Sequence, residues 1–106
     1  MNRTRAGIAA SAALALGGCV SLESIAPSVT PAMGNAAATL NEGRRIFTGP
    51  CAACHAPDPV ASRSLDEWRI AVNEMAPRSK LDAGERAALL AYLAAAHSVN
   101  APAVGR

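Results

Sequence analysis

Apolar and polar positions change rhythm along the chain, and the changes mark its elements. Ala6 to Leu16 runs without a charge after Arg3 and Arg5, too short for a membrane-spanning helix, which takes about 20 apolar residues. Residues 20–34 hold Pro27 and Pro31 among Ser and Thr with little apolar periodicity, a pattern that predicts a flexible linker. From Asn35, read as an N-cap, Ala36, Leu40, Gly43 and Phe47 recur on one helical face. A glycine inside a helix costs about 1 kcal/mol relative to alanine, so Gly43 predicts that another helix comes close. Thr48-Gly49-Pro50 ends this helix, and Ala56-Pro57-Asp58-Pro59 cannot be helical. Ser64 and Glu67 form a capping box that opens a second helix, with Leu65, Trp68, Val72 and Met75 on one face, up to Ala76-Pro77. Asp82 and Glu85 open a third in the same way. Its inner face carries Leu89, Tyr92, Leu93 and Ala96, with Leu90 at the margin, and it is expected to fray over 98–102. The expected fold is all-α, about three helices.

The 106 residues suffice for one small domain, and they include one Trp, one Tyr and one Phe. Such a domain is short of apolar mass for its core unless something else supplies it. Abundant alanine favours helix and close helix packing. The formal charge is +2, but removing Arg3 and Arg5 from the ten basic residues leaves eight, against eight acidic ones. No basic footprint for nucleic acid is present.

The chemistry centres on Cys51-Ala52-Ala53-Cys54-His55. Two thiols separated by two residues and followed at once by an imidazole form the attachment signature of a c-type haem. Two thioether bonds must meet two vinyl groups on one edge of a rigid porphyrin, so the sulfurs need a short, fixed separation. Ala52 and Ala53 add no bulk there, and His55 is placed to offer a ring nitrogen to the iron. A covalently held haem c would also supply the missing apolar mass. A zinc site would need a second ligand pair, but the remaining histidine and cysteine are His97 and Cys19. A redox dithiol would need a strand–helix context that the surrounding sequence lacks. Three cysteines, two of them in this motif, do not make a disulfide framework.

The apolar run at the amino terminus ends Leu16-Gly17-Gly18-Cys19. This resembles the lipobox of bacterial lipoproteins, which implies a signal peptide over 1–18, cleavage before Cys19 and a diacylglycerol on its thiol. Of 106 residues, 18 would be removed and 88 kept. Residues 19–34 would then be the tether and 35–106 the folded domain. An ordinary secretory signal is the alternative. Multiple acyl chains hold a membrane firmly, whereas one binds only marginally.

A second axial ligand completes a six-coordinate haem, and methionine is the usual partner of histidine in electron-carrying cytochromes. Met75 is the only methionine beyond the motif. Gly43, Phe47, Cys51-x-x-Cys54-His55, Met75-x-Pro77, Glu85, Leu89 and Tyr92-Leu93 together resemble the small class I c-type cytochromes. The resemblance spans roughly residues 35–97. It implies that helices pack around one covalently attached haem, the first crossing the last at a glycine and an aromatic residue, here Gly43 and Phe47 against Tyr92. It also implies that Met75 joins His55 as an iron ligand. Twenty positions separate His55 from Met75, fewer than in many members, which would leave more of the haem exposed. Met33 falls in the linker and His97 at the far end of the last helix, and both are read as bystanders.

Arg63, Arg69, Arg78 and Lys80 are candidate partners for haem propionates, with Arg63 and Arg78 favoured. Trp68 is expected to pack on the porphyrin, and its indole N–H could reach a propionate. Pro57 or Pro59 could offer a carbonyl to the second ring nitrogen of His55. The expected function is single-electron transfer between periplasmic or membrane redox proteins. The carrier would be lipid-anchored on the periplasmic side of a bacterial membrane, inner or outer, with no enzyme chemistry of its own. An electron-accepting subunit of a periplasmic dehydrogenase and, if Met75 is not bound, a diatomic-gas sensor are the alternatives.

Overall fold

The structure, a computed structural model, describes residues 21–34, 36–53 and 56–100. The signal-peptide segment, Cys19, Asn35, Cys54 and His55 lie outside the described residues. Four α-helices are present, with no strand among the described residues: α1 (Leu22–Ile25), α2 (Ala37–Thr48), α3 (Leu65–Met75) and α4 (Ala83–Asn100). Short 3-10 turns occupy Pro31–Met33, Pro50–Ala52 and Val60–Ser62. The all-α expectation therefore holds, with α2, α3 and α4 as the three principal helices.

The two capping boxes form as their sequences predict. Ser64 Oγ accepts from the Glu67 amide at 3.1 Å, and the Glu67 carboxylate accepts from the Ser64 amide at 3.1 Å. Asp82 and Glu85 repeat the exchange at 2.7 and 3.1 Å. Each satisfies two amides that a helix start would otherwise leave unpaired. Two other helix ends differ from expectation. Ala36 is the exposed N-cap of α2, without a side-chain bond, and so is not part of its inner face. α4 stays helical through Ser98 and Val99 to Asn100, and the rest of the segment expected to fray, 101–102, lies outside the described residues.

The most extensive pairing of elements is α2 on α4, and Gly43 sits where they cross. A methyl group placed there would come 2.1 Å from the Ala88 carbonyl oxygen and 2.6 Å from Tyr92 Cβ. Only a residue without Cβ lets the backbones approach so closely, which repays its poor helix propensity. Around the crossing, Ile46, Phe47, Leu89, Tyr92, Leu93 and Ala96 are buried, and Trp68 and Val72 join them from α3. All three aromatic side chains of the protein meet here. Phe47 stands edge-on to Trp68 at 5.4 Å and tilted to Tyr92 at 6.3 Å, arrangements that the ring quadrupole favours.

The segment expected as a flexible linker is instead packed onto this core over its described part, residues 21–34. Ala26 is wholly buried, and Ile25, Val29 and Met33 lie against the core. The Tyr92 hydroxyl donates to the Pro27 carbonyl at 2.7 Å, and Arg44 Nε donates to the Ala26 carbonyl at 3.2 Å. Pro27 keeps the preceding Ala26 extended, and side chains of α2 and α4 then bind the carbonyls of these two residues.

Gly43→Ala is expected to destabilise the domain by about 1–3 kcal/mol through overpacking against backbone that cannot yield, seen as a lower urea midpoint. The gain in helix propensity would not offset it. Burial pushes the Tyr92 hydroxyl up to about 12 from its ordinary 10. Between these values the folded chain keeps a proton that the unfolded chain has lost. Its contribution is therefore whole below pH 10 and is lost as pH rises through 12. Denaturation across that window should show stability falling in the native protein, whereas Tyr92→Phe should start about 1 kcal/mol lower and respond less to pH.

Candidate functional site

A cleft opens between the end of α2, the inner face of α3 and the start of α4. The break at Thr48-Gly49-Pro50 builds its first wall. The Gly49 amide closes α2 on the Ile46 carbonyl, and Pro50, with no amide of its own to leave unpaired, starts the tight turn that carries Cys51. Cys51 and Phe47 line the cleft on this side, with Trp68, Ala71, Val72 and Met75 from α3 and Leu89 from α4. Ala76, Leu81 and Pro57 extend the apolar wall, while Asp58 and Arg63 bring the polar groups. The space within it is about 100 Å³, less than the roughly 300–1,000 Å³ of small-molecule and cofactor sites, so a larger group would stand partly in its open mouth.

Met75 is half-buried as the last residue of α3, and the turn behind it is closely bonded. The Ser79 amide donates to the Met75 carbonyl at 2.9 Å, Lys80 to Pro77 at 3.3 Å and Leu81 to Ala76 at 3.0 Å. Lys80 takes the left-handed conformation, φ 56°, that this helix-ending pattern requires. The bonds fold Leu81 back toward Ala76, and both face the cleft. Met75 therefore projects from a braced helix end and not from a free loop.

Trp68 lines the cleft, but its indole N–H donates to the Val60 carbonyl at 2.8 Å and is not free for a propionate. Arg63 also reaches the cleft, pairing with Asp58 at 2.8 Å and lying 5.4 Å above the Trp68 ring. Arg69 pairs with Asp66 at 2.9 Å, and neither Arg69, Arg78 nor Lys80 lines the cleft. The Pro59 carbonyl accepts from the Ser62 amide at 2.9 Å and the Ser62 hydroxyl at 2.6 Å, so it is already engaged locally. Met33 and His97 take no part in the cleft.

Burial pushes the Cys51 thiol up. A thiol that keeps its proton at neutral pH is a poor nucleophile, the opposite of what a redox dithiol requires. Among the described residues, no three His, Cys, Asp or Glu side chains gather to hold a metal ion. Nor, among them, is any helix long and apolar enough to cross a membrane. The structure therefore brings together Cys51, Met75, Trp68 and Arg63 of the sequence-predicted residues. It adds Asp58, Ala71 and Leu81, which the helical patterns missed because two lie outside a principal helix and the third is a small residue beside the α3 stripe.

No family model matches the chain, and comparison with curated proteins and with solved structures finds no match.

Trp68→Phe removes the donor to Val60 and leaves its carbonyl to find another partner. A loss of about 1–3 kcal/mol in urea denaturation is expected, with the helical circular dichroism of the native state retained.

Proposed function

We propose that the protein is a monohaem c-type cytochrome that passes single electrons between periplasmic or membrane redox partners. It would be held at the periplasmic side of a bacterial membrane by acyl chains on Cys19. One observation carries the reading: Cys51, which opens the Cys51-x-x-Cys54-His55 motif, and Met75, far along the chain, line the same apolar cleft.

The apolar lining of the cleft suits one part of a flat, largely apolar macrocycle, the rest of which would stand in its mouth. Phe47, Trp68, Val72 and Leu89 supply apolar contact, and Asp58 and Arg63 give it one polar region. Among the described residues, no buried side-chain polar atom lacks a partner, so burial of an apolar group leaves no orphan behind. In this reading Cys51 and Cys54 would form the thioethers, His55 and Met75 would hold the iron, and Arg63 would balance propionate charge. Haem c supplies the one-electron couple; the chain supplies low dielectric, fixed ligands and limited solvent access. The braced end of α3 would hold the Met75 thioether in place for the iron. The class I arrangement of helices is supported by the Gly43 crossing and by Phe47 against Tyr92.

Chain produced in cells competent for c-type maturation should remain red after denaturation and exceed the processed apoprotein by the mass of one haem. Cys51→Ala or Cys54→Ala should each remove one thioether. Met75→Ala should keep the pigment, lose the near-infrared sulfur-to-iron band of the oxidised protein and bind carbon monoxide rapidly when reduced. Colourless native protein of apoprotein mass would end the proposal.

A further inference from the structure

We propose that residues 21–34 are a docked strap that holds the domain close against the lipid surface, in place of a tether that lets it roam. This rests on the reading of Cys19 as the lipid anchor. The strap is fixed at several independent points. Ala26 is buried in the core, the Ala26 and Pro27 carbonyls accept from Arg44 and Tyr92, and Glu23 pairs with Arg44 at 3.4 Å. Glu23 also accepts from the amide and the hydroxyl of Ser28, closing the strap's first turn.

Docking begins at the very start of the described chain, where Ser21 caps α1. Only Val20 separates Ser21 from Cys19. Two residues span at most about 7 Å, so an acylated Cys19 would bring the α1 end of the domain to the headgroups. A free chain through residue 34 would instead average about 20 Å. The surface at that end suits the position. Leu22 is 51% exposed, an apolar side chain three positions from the anchor, and the Glu23 carboxylate is matched by Arg44 and so does not repel anionic lipid. None of the cleft-lining residues belongs to the strap. The domain is held without using the surface through which electrons would pass.

The test uses the full chain, matured and lipidated in a bacterium and placed in supported bilayers of phosphatidylethanolamine and phosphatidylglycerol. Neutron reflectometry reads the distance of the protein layer from the headgroups. The native protein should form a thin layer in contact with them. Fourteen Gly/Ser residues inserted between Val20 and Ser21 leave every strap contact intact and should move the layer outward by about 20 Å. The double variant Arg44→Ala, Tyr92→Phe should release the strap and thicken the layer. A native layer already standing off, with little added by the insertion, overturns the strap while leaving the anchor intact. An unacylated Cys19 peptide by mass spectrometry overturns the anchor reading and the proposal with it.

Discussion

The close contact of α2 with α4 at Gly43 is the constraint on which the remaining structure depends. With no Cβ between them, the backbone of one helix reaches the carbonyl of Ala88 and the Cβ of Tyr92 on the other. That distance places Phe47 beside Tyr92 and lets Trp68 arrive edge-on from α3. Three aromatic side chains are few for a domain of this size, and they act together because one glycine lets their helices converge. The same crossing fixes where α2 ends, and hence where the Pro50–Ala52 turn delivers Cys51. A chain this short, with so little aromatic mass, gains from any apolar group that fills the remaining cleft.

Tyr92 links the two halves of the architecture. Its ring packs at the crossing, while its hydroxyl leaves the core to meet the Pro27 carbonyl. One side chain thus couples the principal helices to the segment before them. Arg44, one position from Gly43, does similar work with its guanidinium. The amino-terminal segment is therefore bound to the helix pair that the glycine brings together.

The helices were legible because their signals are local. Ser64 with Glu67 and Asp82 with Glu85 announce their own hydrogen bonds, and Gly43 announces a crossing by being a poor helix former in an apolar stripe. The segment 21–34 was misread because prolines and hydroxyl residues usually mark a free chain; what docks it is a tyrosine far along the sequence and the burial of a single alanine. Val60 escaped notice for a similar reason, since a lone apolar residue after Pro-Asp-Pro has no periodicity to betray it. Cys51 and Met75 were legible in the sequence as candidates, but the acceptor of the Trp68 indole was not, since only the fold brings the Val60 carbonyl to it.

Trp68 has a further use that follows from its place on the cleft wall. It is the protein's only tryptophan, held by one hydrogen bond and one edge-on ring contact. Its ultraviolet emission therefore comes from a single, well-fixed indole facing the cleft. A strongly absorbing group seated there would extinguish that light, and denaturant would restore it as the two drew apart, giving the molecule an internal optical gauge that needs no label.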